Sequence, residues 1–380
     1  MASGKIECLP TNHLIPISKP SITSLEVEYV NDALASGWVS SQGKYLDTFE
    51  KAFAAYCGTR YAIAVANGTV GLHLALTSLG IGANDEVIVP DLTFIATANA
   101  VRYTGANVVF ADVDPKTLCI DSSLLPALIT KRTKAILPVH LYGHPCEMNA
   151  INAIARNFGL FVVEDAAEAH GAELNGKKVG SFGTAGIFSF YGNKIMTTGE
   201  GGMITTDNED FFNQARLLRD HAMKADQKYW HEKVGYNYRM TNLQAALGLA
   251  QLKRIDELIA KKRLIFTWYK KTLGTIPTVR LNFSATHVRN VYWMVCLETE
   301  GMTLELRDIF IRKLKACGIE SRPYFYPVSN MPMYSRANTP VAHEVYVKGI
   351  NLPSFYDLEE GEVQYICDTI VDILTRGQPI

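Results

Sequence analysis

Hydrophobic positions in the first half of the chain alternate between short apolar runs and amphipathic stretches. The apolar runs, such as Tyr61–Val65 and Glu86–Pro90, have the length and composition of buried strands. Between them, stretches such as residues 69–79 carry apolar side chains at helical spacing. Near-continuous apolar strands separated by helices predict an α/β fold with a mostly parallel sheet covered on both faces.

The alternation continues as far as residue 205. Further strands are predicted at residues 108–111, 135–139, 160–164, 187–191 and 202–205. The last two are separated by too little sequence for a crossover helix, so at least one strand of the sheet is allowed to run antiparallel.

The pattern changes after residue 240. Residues 241–273 predict one long helix that leads out of the large domain. A strand at 292–297 and helices at 304–317 and 359–374 then predict a smaller α+β domain. We therefore predict an N-terminal arm and a large domain in residues 1–260, and a small C-terminal domain in residues 261–380.

Composition and charge are those of an ordinary globular protein. With 48% hydrophobic residues and a formal net charge of −1, the chain gives no electrostatic reason to expect nucleic acid or an anionic membrane as partner. The seven cysteines are scattered and never form a C-x-x-C pair, so neither a zinc site nor a disulfide framework is predicted. No apolar run approaches the roughly twenty residues that cross a bilayer, and no signal peptide is recognised. These features predict a cytoplasmic protein.

Lys194 and Asp165 are the two residues with the clearest candidate chemistry. Lys194 follows a buried apolar strand, where loss of solvation makes an amine nucleophilic, although strand-end lysines more often lie on the surface. Asp165 follows the strand at 160–164, and ligands of parallel sheets bind at the carboxyl ends of strands. A lysine paired with an aspartate that holds a protonated ring nitrogen is the arrangement that pyridoxal phosphate requires. The alternative is a structural ion pair.

Phosphate-binding and stacking groups follow other strands. Gly68 and Thr69 open a helix, where backbone N–H groups bind phosphate, although an ordinary capped helix is the alternative. The hydroxyl of Ser189 is a candidate for the same phosphate, and Phe94 is a candidate to stack on a ring, although a lone aromatic is more often core. The glycine fingerprint of a nicotinamide-dependent dehydrogenase is absent after the first strand.

Four separated segments carry a resemblance to a known family. They read N-G-T at 67–69, E-D-A-A-E-A-H-G at 164–171, S-F-Y-G-N-K-I-M-T-T-G-E-G-G-M at 189–203 and G-Y-N-Y-R-M at 235–240. Together they resemble the DegT/DnrJ/EryC1/StrS family of sugar aminotransferases, from about residue 15 to the C-terminus. The resemblance implies a fold-type-I aminotransferase that binds pyridoxal 5′-phosphate and works as a homodimer with shared active sites.

The resemblance also implies roles for the residues that match the family motifs. Lys194 would form the Schiff base and carry the proton, and Asp165 would bind the pyridinium nitrogen. Glu168 would contact the ring hydroxyl, at a position where many members carry glutamine. A branch that removes a sugar hydroxyl has histidine in place of the lysine, so Lys194 favours transamination.

The remaining cofactor contacts follow in the same way. Gly68, Thr69 and Ser189 would hold the phosphate, Asn237 would reach it from the other subunit, and Phe94 would stack on the ring.

For the substrates, the resemblance implies L-glutamate and a nucleotide-linked 4-keto-6-deoxy sugar. Residues 190–194, 229–231 and 331–334 most resemble the subgroup of the family that acts on GDP-4-keto-6-deoxymannose, for surface polysaccharide of the O-antigen type, so the resemblance implies this sugar. A dTDP- or UDP-linked sugar is one alternative, and a non-catalytic, cofactor-binding regulator is another. Candidate substrate contacts, for each of which core or surface packing is the alternative, are Trp38, Arg239, Arg322 and Tyr326.

Overall fold

The protein is described by a computed structural model over residues 14–224 and 226–376, so most of the predicted N-terminal arm lies outside the described residues. The helices are α1 Ser24–Ala35, α2 Lys44–Cys57, α3 Gly68–Ser78, α4 Ala96–Tyr103, α5 Leu125–Leu128, α6 Met148–Phe158, α7 Glu209–Arg219, α8 Asn242–Lys253, α9 Ile255–Leu273, α10 Leu304–Ala316, α11 Pro340–Lys348 and α12 Glu360–Arg376. The strands are β1 Tyr61–Val65, β2 Glu86–Pro90, β3 Asn107–Ala111, β4 Thr133–Ile136, β5 Phe161–Asp165, β6 Glu173–Leu174, β7 Lys177–Lys178, β8 Ala185–Ser189, β9 Gly202–Thr206, β10 Val279–Leu281, β11 Val288–Arg289, β12 Val295–Thr299, β13 Arg322–Pro323 and β14 Gly349–Leu352.

Seven strands form the central sheet, in the order β1-β9-β8-β5-β4-β2-β3. Where β2, β3, β4, β5 and β8 pair with one another, the pairs are parallel. Strand β9 is antiparallel to both of its neighbours, β1 and β8. The predicted α/β fold class is confirmed, and β9 is an antiparallel strand of the kind that the short connection allowed.

Aromatic packing fixes the strand that leads to Lys194. Phe49 and Phe53 lie on the buried face of α2. The ring centroid of Phe53 is 4.9 Å from that of Phe188 and 5.4 Å from that of Phe190. Each buried phenylalanine side chain contributes about 1.5–3 kcal/mol. This cluster therefore anchors β8 and the residue that follows it against α2.

Residues 241–273 form two helices instead of the single predicted helix. Arg254 has φ −106° and ψ 4°, outside the helical region, and separates α8 from α9. Its guanidinium bonds the buried carboxylate of Glu26 in α1 at 3.0 Å. The break between α8 and α9 thus coincides with a contact that is distant in sequence. The periodic apolar pattern of residues 241–273 reveals neither the contact nor the break.

Helix α9 joins the two hydrophobic clusters that the described residues form. Leu258 and Ile259 belong to the cluster of the large sheet, whereas Ile265 and Phe266 belong to a second cluster beside the antiparallel sheet β10-β12-β14-β13. The predicted boundary between residues 260 and 261 falls inside α9. The division into two domains remains a prediction, because Trp293 and other later residues pack in the first cluster.

Several local features differ from the sequence predictions. Helix α7 was not predicted, and β12 begins three residues later than the strand predicted at 292–297. Among the described residues, none of the helices combines the length and apolar character needed to span a membrane.

Candidate active site

A cavity of about 690 Å³ opens at the carboxyl ends of β1, β2, β5 and β8. This is where a mostly parallel sheet is expected to bind its ligands. The predicted site residues that line it are Gly68, Thr69, Phe94, Asp165, Glu168, Ser189, Lys194 and Arg322. The structure thus brings together groups that are far apart in the sequence.

Lys194 lies on the loop between β8 and β9. The base of this loop is closed by a hydrogen bond from the N–H of Phe190 to the carbonyl of Gly201, 2.8 Å long. The side chain of Lys194 is 12% exposed, and its Nζ lies 3.6 Å from Oε1 of Glu168. The same Nζ lies 4.1 Å from the ring centroid of Trp293. The lysine amine is therefore held at the cavity wall between a carboxylate and an aromatic face.

Asp165 is the last residue of β5 and is buried. Burial raises the pKa of its carboxyl, and hydrogen bonds to the carboxylate oppose that rise. The hydroxyl of Thr97 donates to Oδ2 at 2.8 Å, and the N–H of Ala167 donates to Oδ1 at 3.2 Å. The positive charge of Lys194 acts in the same direction as these bonds. Asp165 can therefore serve as the counter-charge for a second cation in the cavity.

Glu168 is a buried carboxyl close to both Lys194 and Asp165. Burial raises its pKa to about 7, and the charge of Lys194 and the N–H of Tyr142 oppose this rise. That N–H donates to Oε2 of Glu168 at 3.0 Å. Near neutral pH, both the protonated and the ionised form of Glu168 are accessible.

The N-terminus of α3 faces the cavity beside Ser189. The side chain of Asn67 caps the helix by accepting the N–H of Val70 at 2.9 Å. A Cβ at Gly68 would lie 2.9 Å from Cβ of Ser189, so this close approach favours glycine. The helix N-terminus and the hydroxyls of Thr69 and Ser189 together suit an anion such as phosphate.

His140 and Glu164 form a buried pair at the end of β5. The Nε2 of His140 lies 3.0 Å from the carboxylate of Glu164, and the N–H of Cys146 donates to Nδ1 of His140 at 3.0 Å. Because Nδ1 accepts, Nε2 carries the proton and donates to Glu164. Three further N–H groups donate to the same carboxylate, those of Gly180, Phe182 and Gly183.

Four predicted site residues do not line this cavity. Trp38 is 56% exposed, and Tyr326 is 43% exposed and packs near Tyr346. Arg239 forms an ion pair with Asp220 and lines a separate cavity of about 260 Å³. Asn237 is exposed, which is compatible with its expected contact to the other subunit. Their roles remain predictions.

Other residues line the cavity without having been predicted. Asn67 could have been found, because an asparagine directly before a helix is a common cap. Trp293 could not have been found, because it is far from Lys194 in the sequence and only the tertiary structure brings the two side chains together. Tyr191, Glu200 and Phe325 likewise line the cavity.

Comparison with known proteins gives consistent relatives. The sequence pattern of the DegT/DnrJ/EryC1/StrS aminotransferase family matches residues 20–371. The GDP-perosamine synthase of Caulobacter vibrioides is 47% identical over 95% of this chain and 98% of its own length. The GDP-perosamine synthase of Escherichia coli O157:H7 is also 47% identical, over 94% of this chain and 97% of its own length.

A solved structure agrees with these sequence relatives. Spr1654 from Streptococcus pneumoniae, a candidate sugar aminotransferase in its PLP form, superposes with a TM-score of 0.89 at 28% identity. The superposition covers 94% of this chain and 98% of that chain.

Proposed function

The chain belongs to the DegT/DnrJ/EryC1/StrS aminotransferase family, and on that basis we propose that it transfers an amino group from L-glutamate to C4 of GDP-4-keto-6-deoxymannose. The product would be GDP-perosamine, for surface polysaccharide of the O-antigen type. The proposed substrate is supported by the 47% identity to two GDP-perosamine synthases over almost the whole chain.

One observation of the structure carries the proposed chemistry. Lys194 and the buried Asp165 face the same cavity, and the N-terminus of α3 lies at its wall. A nucleophilic amine, a carboxylate and an anion site in one cavity are the three groups that pyridoxal 5′-phosphate needs.

The protein is a pyridoxal-phosphate-dependent enzyme, and the residues at the cavity fit that cofactor. Asp165 would hold the ring nitrogen, Glu168 would contact the ring hydroxyl, and Phe94 would stack on the ring. Gly68, Thr69 and Ser189 would hold the phosphate, with Asn237 of a second subunit. When bound, the cofactor carries the amino group between the two substrates and accepts the electron pair left at the reacting carbon.

The side chains of this protein supply the proton transfer. Lys194 takes a proton at Nζ and gives it back, which is general acid–base catalysis by one residue. Glu168 stands 3.6 Å from that Nζ and favours its charged form. Asp165 stays ionised while a cation lies beside it, because each charge stabilises the other. Arg322 lies at the cavity wall, where its guanidinium is placed to bind a phosphate or carboxylate of a substrate.

We also propose a homodimer with shared active sites and a cytoplasmic location. The exposed Asn237 and Trp38 are available to a second copy of the chain, and neither lines the cavity of its own chain. Trp38, Arg239 and Tyr326 would then contact substrate at a cavity completed by two subunits.

Turnover of three substrates tests the proposal. The purified holoenzyme is given L-glutamate and, in parallel, the GDP-, dTDP- and UDP-linked 4-keto-6-deoxy sugars, and the amino-sugar product is measured by mass spectrometry. We expect the highest kcat/KM with the GDP-linked sugar. A higher value with the dTDP- or UDP-linked sugar would overturn the nucleotide assignment. No turnover of any of them, in protein that binds the cofactor, would favour a regulator.

A further inference from the structure

Trp293 contacts the amine of Lys194 but belongs to a distant part of the chain. It lies two residues before the first residue of β12, and its side chain is almost completely buried. Its ring face lies 4.1 Å from Nζ of Lys194, within the distance at which an aromatic face attracts a cation.

The indole ring is held in this position by polar contacts at both ends of the residue. Its Nε1–H donates to the carbonyl of Asn193 at 2.8 Å, so the tryptophan is bound to the residue next to Lys194. Its own carbonyl accepts a hydrogen bond from Nζ of the buried Lys262 at 3.0 Å. Because the indole nitrogen and the main chain of Trp293 are both hydrogen-bonded, the side chain loses little entropy when it meets the lysine.

Tyr142 supports Trp293 and Glu168 together. Its ring is nearly parallel to that of Trp293, with an interplanar angle of 14° and centroids 6.3 Å apart. Its N–H holds Glu168, which faces Lys194. The next residue, Gly143, has φ +99°, and a Cβ there would lie 2.8 Å from N of Trp293, so the close approach of these two segments requires glycine.

Other charged and titratable groups lie around Lys194. Asp165, Glu168 and His170 interact electrostatically with it, and burial together with the charge of Lys194 keeps His170 neutral by lowering its pKa to about 3. Farther around the two adjoining cavities lie Lys19, Glu200, Lys262 and Arg322. Among the described residues, the aromatic ring that contacts Nζ of Lys194 with its face is that of Trp293.

We propose that Trp293 is a further residue of the active site, whose indole face stabilises the protonated amine of Lys194 and holds Nζ beside Glu168. The ring acts on the form of the lysine that carries a proton in the proposed reaction. The stabilisation of the protonated lysine needs neither cofactor nor substrate. Its consequence for turnover rests on the proposed function.

The test measures Lys194 in protein without cofactor. Short pulses of acetic anhydride, which acetylates neutral amines, are applied across a pH series, and acetylation of Lys194 is quantified by peptide mass spectrometry. In Trp293→Leu we expect the pH at half-maximal labelling to fall by about 0.4–1.5 pH units, because the cation loses its aromatic partner. Trp293→Phe keeps a weaker ring face, so we expect a smaller fall.

A second lysine–tryptophan pair provides the control. Nζ of Lys261 lies 4.8 Å from the ring centroid of Trp268 on α9. Trp268→Leu removes the same kind of ring, and the labelling midpoint of Lys194 should then stay at its wild-type value. A shift of that midpoint in Trp268→Leu equal to the one in Trp293→Leu would overturn the proposal.

The profile separates the effect of charge from simple exposure. If Trp293 only covered the lysine, its removal would increase labelling at every pH and leave the midpoint unchanged, which would overturn the proposal. If Trp293→Leu does not fold, Trp293→Phe decides, and an unchanged midpoint there would also overturn it. Because no substrate or cofactor is present, failure of the proposed function leaves this result unaffected.

Discussion

Asp91 accepts two hydrogen bonds from Ser329, one from the main-chain N–H and one from the hydroxyl, each 2.7 Å long. The Asp91 side chain is completely buried, and Thr339 donates a third bond to it. Asp91 directly follows β2, three residues before Phe94, whereas Ser329 follows the segment that contains Arg322 and Phe325. The pair therefore fixes the relative positions of two segments that line the cavity, whose rings Phe94 and Phe325 lie 5.8 Å apart between centroids.

Ser329→Ala removes one of these bonds while the carboxylate stays buried. We expect the free energy of unfolding to fall by about 1–3 kcal/mol, because the buried charge loses a donor. KM for the nucleotide sugar should rise, and cofactor binding should stay intact, because Asp165 and Lys194 lie on other elements. Urea unfolding and steady-state kinetics measure both effects.

The matched control is Ser123→Ala, whose exposed hydroxyl bonds Asp121 at 2.7 Å. It should change the free energy of unfolding by no more than about 0.5 kcal/mol. Equal losses in the two variants would show that Asp91 does not depend on Ser329.

Lys194→Ala should abolish the visible absorption that the cofactor acquires when it bonds to the lysine. We expect kcat to fall by about 10²–10⁴-fold or more, because Lys194 is the residue proposed to transfer the proton. Absorption spectra and steady-state rates check this, with Lys131→Ala as an exposed lysine control. Visible absorption that persists in Lys194→Ala would assign the bond to another lysine.

Asp165→Asn removes the negative charge that faces the cavity. We expect kcat to fall by about 100-fold or more, while the cofactor still bonds to Lys194 and gives its visible absorption. An asparagine also loses one acceptor for the two donors at Asp165, so thermal unfolding must be measured on the same samples. A variant with wild-type kcat would remove Asp165 from the proposed mechanism.

Glu168→Gln should change the pH dependence of stability. Burial raises the pKa of Glu168 from 4.5 to about 7, so the folded protein binds a proton at this site that the unfolded chain releases. The contribution of Glu168 to stability is thus fully present below pH 4.5 and is lost as the pH rises through about 7. The amide does not titrate, and its oxygen can still accept the N–H of Tyr142.

We therefore expect cofactor-free Glu168→Gln to be more stable than wild type above pH 7, by up to about 3 kcal/mol, with no such gain below pH 4.5. Urea unfolding at several pH values measures the difference. Glu28→Gln, at an exposed carboxyl on α1, is the control substitution and is measured at the same pH values. A constant gap between Glu168→Gln and wild type from pH 4 to pH 8 would contradict a raised pKa at Glu168.

The sequence revealed those parts of the site that depend on local pattern. Asp165 could be placed because it follows an apolar strand, and the sheet rule brings strand ends to one edge. Ser189 could be placed because it lies five positions before Lys194, in the apolar run that leads to the lysine. Trp293 and Asp91 could not be placed, because their partners are 100 positions away or more. The break at Arg254 was missed for the same reason, since its partner Glu26 lies in α1.

The reversed direction of β9 has a consequence for the order of folding. Ser189 pairs with Gly202 across β8 and β9, so the loop that carries Lys194 is closed by strands that are neighbours in sequence. Closing a short loop costs less entropy than closing a long one, so such contacts form early. We expect the amides of β8 and β9 to gain protection in pulsed hydrogen exchange before those of β12, near Trp293. The reactive lysine would then be in place before the tryptophan that covers it arrives.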